Sequence, residues 1–471
     1  MTGAVTTAAA AQEKHWRGRR VLVVGLGRSG ISSARLLSRC GAKVTVTDQK
    51  SEAQLGAVLA TLPGNVTWEL GGHRPTSFVA ADTIVVSPGV PPLPEIAAAR
   101  AAGIPVIGEL ELGARFVDAP VLAITGTNGK STTTTLAGAI LQGTGRPTFV
   151  GGNLGVPLVE AAFTPAAGRG GAVVVEVSSF QLETIVEFRA KVGILLNITP
   201  DHLDRYDHMD SYAAAKGRVF DNQTAADFAV INIDDPRVAT IGRTLHSVVL
   251  PFSTSRALGE GGWVEAGPGT GQLCLQLPGG PVERYPANSP GLYGRHNQEN
   301  ALAAALAARL LGASPAVVTA ALQDFVPLPH RMTLVGRRGE VSYFDDSKGT
   351  NVGAVVAALT GFPQPVVLIA GGRDKGGSYE PLRIALKAVG RAAVVIGEAA
   401  ERIAAGLDGV VPVVHAATME DAVAAAARLA LPGDAVVLSP GCSSFDMFKN
   451  YEHRGEVFRA AVLKICGGVD P

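Results

Sequence analysis

The chain has 471 residues, with 41 basic and 41 acidic side chains and a formal net charge of zero. Its length suggests roughly three domains of about 150 residues each. The charge balance offers no electrostatic support for nucleic-acid binding, and we expect none. Hydrophobic residues make up 47% of the chain and aromatic residues 5%, which is typical of α/β proteins with short, buried parallel strands.

The cysteines and the first twenty residues indicate the cellular compartment in which the protein works. Cys40, Cys274, Cys442 and Cys466 lie far apart and in no metal-binding spacing, which is typical of a reducing environment. The first twenty residues are polar and alanine-rich, and no apolar segment follows their arginines. The longest uncharged stretch, 349–372, is interrupted by glycine and prolines, so it predicts no membrane span. We expect a soluble, cytoplasmic protein without membrane insertion.

The first block, from Arg20 to about Arg115, opens with an apolar run and the glycine motif 25–30 (GLGRSG). A helical segment, a second apolar run and Asp48 follow, and a later run ends at Ser87-Pro88-Gly89. Glycines between a strand and a helix let a phosphate approach the backbone, and the acidic residue can bind ribose hydroxyls. The motif therefore predicts binding of a nucleotide diphosphate more firmly than NAD. A tight turn without a ligand is the alternative.

The second block begins with the apolar run 121–124, followed by the phosphate-loop motif Gly126-Thr127-Asn128-Gly129-Lys130-Ser131-Thr132 and a helical segment over 133–141. Backbone N–H groups and the helix dipole of such a loop hold polyphosphate. We expect Lys130 to reach the β- and γ-phosphates and the Ser131 hydroxyl to bind Mg²⁺. The general G-x-x-x-x-G-K-[ST] loop would place glycine at position 124, where isoleucine stands. The sequence therefore predicts ATP binding by a loop of shorter spacing.

Three further candidates follow in this block. Glu176 ends an apolar run and either holds the metal of ATP–magnesium or is an ordinary solvated glutamate. Asp201 and His202 follow another run and suit metal or substrate, although a lone histidine more often makes a structural hydrogen bond. Lys216 lies in a helical segment over 211–222 and is by default a surface lysine. Farther on, 256–290 predicts irregular β structure or long turns, and 297–311 predicts a helix.

The third block starts near the proline-rich segment 327–331, which predicts a linker. Its strand-like runs lie at 341–344, 365–370, 392–396, 411–414 and 435–438. Polar loops follow three of the runs, at 345–351, 371–376 and 439–446. Because carboxyl ends of parallel strands meet at one edge, these loops together predict a ligand-binding face, although turn and cap chemistry explains any one of them.

The alternation of strands and helices predicts an α/β protein of three domains. We expect an N-terminal Rossmann-like domain in residues 1–115 and a central P-loop ATPase-like domain in 116–327. A C-terminal Rossmann-like α/β domain is expected in 328–471. Parallel sheets bind ligands at the carboxyl edge of their strands, so each domain should present its motifs on that edge.

Taken in order, these motifs resemble the Mur ligase family of ATP-dependent amide-forming enzymes over essentially the whole chain after the first twenty residues. The short phosphate loop is the family's form. The segments 176–182 (EVSSFQL), 201–205 (DHLDR), 328–331 (LPHR) and 346–351 (DSKGTN) match other family blocks. The segment 439–454, with its Lys-Asn-Tyr core, points to the branch that adds D-glutamate to UDP-N-acetylmuramoyl-L-alanine in cytoplasmic peptidoglycan precursor synthesis.

The resemblance implies a role for each matched position. ATP would be bound by Gly126, Thr127, Asn128, Gly129, Lys130, Ser131, Thr132, Asn300, Arg331 and Asp346. The UDP substrate would be bound by Gly27, Arg28, Ser29, Asp48, Ser87, Gly89 and Asn153. D-Glutamate would be bound by Lys348, Thr350, Lys375, Ser444 and Tyr451, the last being a position where relatives often carry Phe. Two Mg²⁺ ions would be held by Ser131, Glu176, His202 and Lys216, with Lys216 carboxylated by carbon dioxide to a carbamate.

The implied chemistry explains these residue types. A carboxylate resists attack by an amine, so ATP first converts it to an acyl phosphate, with Lys130, Glu176, His202 and Lys216 as the catalytic group. The amino group of D-glutamate then attacks, and phosphate leaves through a tetrahedral intermediate. Ligands on three domains imply hinge closure near 327–329, in a protein that we expect to be a monomer.

Three other readings remain open. A nucleotide-dependent oxidoreductase would account for the motif 25–30 but not for the phosphate loop. A folylpolyglutamate synthetase would share the loop and the amide-forming chemistry, but it lacks a UDP-binding first domain. A non-enzymatic nucleotide-binding regulator would bind ATP without hydrolysing it.

Overall fold

The computed structural model describes residues 6–202, 205–265, 271–287, 292, 294–326, 328–360, 362, 364–374 and 376–467. Within these residues, the strands form three sheets of five, nine and six strands, with helices between the strands. The prediction of an α/β protein built from three βα-rich blocks is confirmed. No helix of the described chain combines the length and the apolar character that crossing a bilayer requires.

The first sheet is wholly parallel and has the order β3-β2-β1-β4-β5. Its central strand reads RVLVV and is buried at four of five positions, as expected for a parallel strand covered on both faces. The elements of this part are α1 (Thr7–Trp16), β1 (Arg20–Val24), α2 (Arg28–Arg39), β2 (Lys43–Asp48), α3 (Glu52–Leu59), β3 (Thr67–Leu70), α4 (Pro75–Ala80), β4 (Thr83–Val86), α5 (Pro94–Ala101), β5 (Val106–Gly108) and α6 (Glu109–Ala114).

Helix α1 precedes the first predicted strand and packs on this part of the molecule. Trp16 at its end is fully buried, in the same apolar cluster as Phe116. The Thr6 hydroxyl caps the helix by accepting from the amide of Ala9 at 3.0 Å. The amide of Ala8 donates to the carboxylate of Asp118 at 3.1 Å. The N-terminal helix is thereby attached to the segment that leads into the second sheet.

The second sheet has the order β14-β13-β12-β11-β10-β9-β6-β8-β7. Its strands run parallel except for antiparallel pairing of β12 with β13 and of β13 with β14. The elements are β6 (Val121–Thr125), α7 (Lys130–Gly143), β7 (Thr148–Gly152), β8 (Ala172–Glu176), α8 (Ser179–Leu182), β9 (Val192–Leu195), α9 (Met209–Gly217), β10 (Phe228–Asn232), α10 (Pro236–Gly242), β11 (Val248–Ser253), β12 (Gly261–Glu265), β13 (Gln272–Gln276), β14 (Val282–Pro286), α11 (Arg295–Leu310) and α12 (Pro315–Gln323), with short 3-10 turns at Leu158–Ala161, Pro165–Ala167 and Arg218–Phe220.

Two predictions for this part need adjustment. The helix expected over 211–222 ends at Gly217 and continues as the 3-10 turn Arg218–Phe220, in which Val219 and Phe220 turn into the core. The glycine- and proline-rich segment 256–290 contains three strands, β12, β13 and β14. Apolar residues of β12 and β13 pack against α11 and those of β14 against α12, and this burial outweighs the turn-forming composition of the segment.

The third sheet has the order β15-β16-β20-β17-β18-β19. Only β15 runs antiparallel to its neighbour, β16. The elements are β15 (Thr333–Arg338), β16 (Val341–Asp345), α13 (Val352–Leu359), β17 (Val366–Gly371), α14 (Glu380–Val389), β18 (Gly390–Ile396), α15 (Ala400–Leu407), β19 (Val413–His415), α16 (Met419–Leu429), β20 (Ala435–Leu438) and α17 (Tyr451–Ile465).

The strand orders decide which loops meet. Strands β9, β6 and β8 are neighbours, so the loops after them, which carry His202, the phosphate loop and Glu176, share one edge. Strands β16, β20 and β17 are likewise neighbours, so the polar loops 345–351, 439–446 and 371–374 share an edge of the third sheet. The predicted domain limits at 115 and 327 fall between sheets and remain predictions. Pro327 lies outside the described residues.

Candidate active site

The phosphate loop connects β6 to α7 and depends on its two glycines. Gly126 and Gly129 have φ angles of 149° and 84°, which side-chain-bearing residues rarely adopt. A Cβ atom at 129 would also lie 2.2 Å from Oδ1 of Asn300. Position 124, where the longer loop form has glycine, lies inside β6, and Ile124 is fully buried in the core there. The strand thus extends to the point where the short loop begins.

Two lysines converge on the loop. The Nζ atom of Lys130 donates to the carbonyl oxygens of Gly126 and Thr127 at 2.8 and 2.7 Å. The Nζ atom of Lys216 donates to the same Gly126 oxygen at 2.8 Å. Lys216 is only 2% exposed and lies over the ring of Tyr212. The default expectation of a surface lysine is therefore wrong. Burial, and then the charge of Lys130, lower the pKa of Lys216 well below its ordinary value.

Glu176, at the end of β8, is also buried rather than solvated. Its Oε1 accepts a hydrogen bond from Nδ2 of Asn153 at 2.7 Å. Its Oε2 is shielded from solvent and has no hydrogen-bond partner among the described residues. Burial favours the protonated acid, but the charge of Lys130 and the bond from Asn153 hold the pKa below its ordinary value. A buried carboxylate oxygen is therefore available beside the phosphate loop.

His202 has a φ angle of 55°, which turns the backbone sharply after β9. Its ring lies 5.0 Å from that of Phe180 and 6.2 Å from that of Tyr212, between centroids. The side chain is 39% exposed and lines the same cavity as Glu176. Aromatic contacts thus fix the imidazole at the cavity wall. Asp204, in the same motif, lies outside the described residues.

Two side chains that flank the third sheet, Arg331 ahead of β15 and Asn351 at the start of α13, reach the second sheet's loops directly. Nη2 of Arg331 donates to the Ser131 hydroxyl at 3.0 Å. Nδ2 of Asn351 donates to Oδ1 of Asn128 at 3.1 Å and to Oδ2 of Asp201 at 3.0 Å. Parts of the chain about 200 residues apart are joined in this way. The second and third sheets therefore contribute to one site.

Asp346 and Lys348 follow β16 and face this site. Burial raises the pKa of Asp346 to about 7, although the Ser439 hydroxyl donates to its Oδ2 at 2.7 Å. Burial and the charge of Arg331 lower the pKa of Lys348 to about 8. The Lys348 ammonium lies 5.1 Å from the ring centroid of Tyr451. A cation is thus placed on the cavity wall opposite the phosphate loop.

A first cavity of about 740 Å³ gathers most of the predicted ATP, metal and amino-acid residues. Gly126 and Lys216 lie behind its wall rather than on it, and Ser444 is buried outside it. Lys375 lies outside the described residues. The predicted residues that line it are Thr127, Asn128, Gly129, Lys130, Ser131, Thr132, Asn153, Glu176, His202, Asn300, Arg331, Asp346, Lys348, Thr350 and Tyr451.

A second cavity of about 600 Å³ lies at the carboxyl edge of the first sheet. All seven residues predicted for the UDP substrate line it: Gly27, Arg28, Ser29, Asp48, Ser87, Gly89 and Asn153. Asn153 lines both cavities, so the two adjoin at this residue, beside Glu176. A molecule that occupied both cavities would extend from the glycine motif to the phosphate loop.

Two residues of the second cavity also hold its shape. Oδ2 of Asp48 accepts from the amide of Leu26 at 2.7 Å, and Oδ1 accepts from the amide of Lys50 at 2.9 Å. The Ser87 hydroxyl donates to the carbonyl oxygen of Gly25 at 2.9 Å. The glycine motif is thus fixed by side chains from two neighbouring loops. Binding of ribose by Asp48 remains a prediction.

Sequence reasoning missed several cavity residues. His73 and Lys50 line the second cavity, and His73 follows β3, a strand that the sequence did not reveal. His296, Glu299 and Tyr379 line the first. The polar cluster 295–300, which forms the first turns of the alanine-rich helix α11, was the available signal for the first two. Tyr379 stands beside a glycine-rich loop without a motif.

Comparison with known families covers all three parts of the chain. Residues 19–108 match the Mur ligase MurD-like N-terminal domain, 124–308 match the Mur ligase middle domain, and 330–442 match the Mur ligase glutamate ligase domain. The helix α1 lies ahead of the first match. The three matched segments correspond to the three sheets.

Curated relatives match nearly end to end. The UDP-N-acetylmuramoylalanine–D-glutamate ligase of Geotalea daltonii is 48% identical over 454 residues, covering 96% of this chain and 99% of the relative. That of Anaeromyxobacter dehalogenans is 49% identical over 455 residues, covering 94% and 97%.

Solved structures agree on the fold. A pseudomurein peptide ligase type C from Methanothermus fervidus has a TM-score of 0.61 at 19% identity, covering 95% of this chain and all of that one. The MurF ligase of Thermotoga maritima, solved with ADP, has a TM-score of 0.60 at 16% identity, covering 96% and 97%. With matched domains in all three parts and near-complete alignment to these relatives, the chain belongs to the Mur ligase family, in the branch of the UDP-N-acetylmuramoylalanine–D-glutamate ligases.

Proposed function

We propose that this protein uses ATP to join the carboxyl group of UDP-N-acetylmuramoyl-L-alanine to the amino group of D-glutamate, a step of peptidoglycan precursor synthesis. The observation that carries the proposal is the meeting of the two cavities at Asn153. The UDP end would lie in the second cavity and the reacting carboxylate beside Glu176 in the first. The relatives' shared name supplies the identity of the substrates.

ATP would lie along the phosphate loop with its γ-phosphate near Lys130. To reach it, the Lys130 ammonium exchanges its two backbone carbonyl partners for phosphate oxygens, which are stronger acceptors because they are charged. The loop amides at the start of α7 hold the remaining oxygens. Arg331, now on the Ser131 hydroxyl, adds a cation from the third sheet. These groups offset the charge that develops as the substrate carboxylate takes the phosphoryl group.

The residues beside the loop fit magnesium. Mg²⁺ prefers oxygen ligands and keeps several waters, so one or two protein oxygens are sufficient. Oε2 of Glu176 is such an oxygen, buried and without a hydrogen bond among the described residues, and the Ser131 hydroxyl is a second. When bound, the ion would neutralise phosphate charge and polarise the transferring group. His202 and Lys216 would serve a second ion.

Carbon dioxide would modify Lys216 covalently, as a carbamate on its side-chain nitrogen. Carbamate formation would join the uncharged Nζ of Lys216 to the carbon of carbon dioxide and release one proton from that nitrogen, and the lowered pKa of Lys216 favours the uncharged amine. The carbamate would bring an anionic oxygen group to a position where an ammonium would repel a cation. Lys216 would then exchange its bond to the Gly126 carbonyl oxygen for contact with a metal.

D-Glutamate would enter from the side of the third sheet. Lys348 and Thr350 line the cavity there, and the Lys348 ammonium suits a carboxylate of the incoming amino acid. Tyr451, whose ring lies against Lys348, completes this wall. The amino group of D-glutamate would attack the acyl phosphate, and phosphate would leave through a tetrahedral intermediate. Roles for Ser444 and Lys375 stay part of the same proposal.

Phosphate release tests the function. The protein is mixed with ATP, Mg²⁺ and UDP-N-acetylmuramoyl-L-alanine, and phosphate is measured with D-glutamate, L-glutamate, L-alanine or L-lysine. We expect release only with D-glutamate, together with one new amide product by mass spectrometry. Release with another amino acid would change the assignment. Tight NADH binding without binding of the UDP substrate would support the oxidoreductase reading, and ATP binding without hydrolysis under every condition would support a regulator.

A further inference from the structure

Arg454 is enclosed by the loops at the carboxyl edge of the third sheet. It is fully buried one turn into α17, and each of its three hydrogen bonds goes to an uncharged oxygen. Nη2 donates to the carbonyl oxygen of Ser347 at 2.7 Å, and Nε donates to the hydroxyl of Ser347 at 3.0 Å. Nη1 donates to the carbonyl oxygen of Cys442 at 3.1 Å. One guanidinium thus joins three parts of the chain: the loop after β16, the loop after β20 and the start of α17.

The partners of Arg454 adjoin the residues predicted to bind the amino acid. Ser347 precedes Lys348, and its hydroxyl donates to the carbonyl oxygen of Tyr451 at 2.8 Å. Cys442 lies two residues before Ser444. The side chain of Arg454 itself is outside the cavity wall. Arg454 is therefore placed to act on ligand-binding side chains through the backbone that carries them.

A fourth segment packs against the same guanidinium. A Cβ atom at Gly372 would lie 3.2 Å from Nη1 of Arg454 and 2.3 Å from the carbonyl oxygen of Ser443, so glycine is required there. Next to it, the amide of Arg373 donates to that Ser443 oxygen at 2.9 Å. The amide of Gly441 donates to the carbonyl oxygen of Gly349 at 2.8 Å. The loops 345–351, 371–374 and 439–446 are therefore bonded to one another around Arg454.

We propose that Arg454 is a positioning residue for the amino-acid substrate, holding the three loops in the arrangement that binds D-glutamate. This inference rests on the proposed function for the identity of the ligand. The planar guanidinium presents donors in several fixed directions, and this geometry matches oxygens on separate loops. A lysine ammonium keeps the charge, but its donors radiate from one atom and cannot span Ser347 and Cys442 together. Arg454→Lys should therefore loosen the loops.

Steady-state kinetics with each substrate varied in turn provide the test. We expect Arg454→Lys to raise KM for D-glutamate at least about tenfold, because hydrogen bonds to a buried charged group are lost. KM for ATP and for the UDP substrate should stay within about twofold. The matched control is Val462→Ala, a buried change on the same helix two turns from Arg454, which we expect to lower the melting temperature. It should leave KM for D-glutamate unchanged.

Amide hydrogen exchange supplies a readout that does not depend on activity. In Arg454→Lys, the amides of Arg373 and Gly441 should exchange at least about tenfold faster, since they close the contacts between the loops. In Val462→Ala they should exchange as in the wild type. If Arg454→Lys does not fold, Arg454→Met is used in its place, because apolar replacement of a buried charge is often tolerated.

The outcomes separate the two proposals. If the wild-type protein does not use D-glutamate, the proposed function is wrong. The amide exchange rates then still test whether Arg454 holds the three loops together. A folded Arg454→Lys with unchanged KM for D-glutamate and unchanged exchange overturns the positioning role. Equal changes in all three KM values in both variants would show that Arg454 serves general stability only.

Discussion

The Nζ atoms of Lys130 and Lys216 both donate to one atom, the carbonyl oxygen of Gly126, each at 2.8 Å. Two full positive charges so close together in a buried place would repel one another strongly. Burial and the charge of Lys130 lower the pKa of Lys216 well below its ordinary value, and this shift favours the uncharged amine and reduces the repulsion. The two lysines of the loop are therefore electrostatically unequal, and Lys216 is the one whose uncharged form is favoured.

Replacing Lys130 should stop phosphoryl transfer. We expect Lys130→Ala to lower kcat for ADP release at least about 100-fold, because the γ-phosphate loses its positioned cation. A coupled assay for ADP measures this. Lys43→Ala, at the start of β2 and away from the carboxyl edge of its sheet, is the control and should keep wild-type kcat. An unaltered rate in the Lys130 variant would mean that ATP does not lie along the loop.

Replacing Lys216 should nearly abolish activity in a way that small acids repair. Lys216→Ala removes the nitrogen that would carry the carbamate, and we expect kcat to fall at least about 100-fold. Formate or acetate added at high concentration should restore part of the rate by occupying the emptied space as a carboxylate. Activity is measured against acid concentration, with Lys191→Ala, at a partly exposed lysine, as the control. A folded variant that no carboxylate rescues would assign Lys216 a structural role instead.

The contact between Asn351 and Asn128 should support ATP binding. Asn351 also caps α13, since its Oδ1 accepts from the amide of Ala354 at 2.8 Å. Asn351→Ser keeps a capping oxygen but is too short to reach Asn128 and Asp201. We expect KM for ATP to rise about tenfold with little change in melting temperature, since two hydrogen bonds across the site are lost. If the melting temperature falls while KM for ATP does not change, the contact between Asn351 and Asn128 contributes to stability but not to ATP binding.

Stability should depend on pH through Glu109. Its Oε1 accepts from the amide of Val159 at 2.8 Å, while its buried Oε2 has no hydrogen-bond partner among the described residues. Burial raises its pKa from 4.5 to about 7. Between these values the folded protein binds more protons than the unfolded chain, so this group makes the free energy of unfolding decrease as pH rises through the window. Glu109→Gln keeps an acceptor for Val159 and removes the titration.

The comparison of two pH values isolates that effect. We compare the free energy of unfolding of Glu109→Gln with that of the wild type at each pH. The linkage between pKa and stability predicts that this difference shifts in favour of the variant by up to roughly 3 kcal/mol between pH 5 and pH 8. Denaturant unfolding at both pH values measures the difference. Glu52→Gln, at an exposed position on α3, should show no such dependence. If the difference in free energy of unfolding between the variant and the wild type is the same at both pH values, ionisation of Glu109 does not affect folding stability.

The parts of the site that the sequence predicted are those fixed by local chemistry. A glycine loop between an apolar strand and a helix predicts phosphate binding wherever it occurs, and Gly126 and Gly129 have the backbone angles that this requires. Polar residues directly after buried strands were expected at one edge, and Glu176 and His202 are found there. The order of parallel strands was then sufficient to bring them together.

The parts that the sequence did not predict depend on tertiary packing. Lys216 lies among alanines and looks like a surface lysine, but Tyr212 and the phosphate loop cover it. Arg454 looks equally ordinary in its helix, yet three loops close over it. Helix α1 has no strong apolar periodicity, and Trp16 is buried in a cluster that includes Phe116, a hundred residues away. No local pattern encodes such contacts.

The position of Asn153 on the wall shared by the two cavities has a consequence for selectivity. A molecule gripped at its nucleotide end by the glycine motif can bring its far end to Glu176 only if its length matches that span. A shorter molecule would stop before the reactive phosphate, and a longer one would pass it. The distance between the nucleotide site at the first sheet and the phosphate loop would then select substrates by length. The extent of peptide already attached, rather than the chemistry of the last residue alone, would decide which precursor is extended.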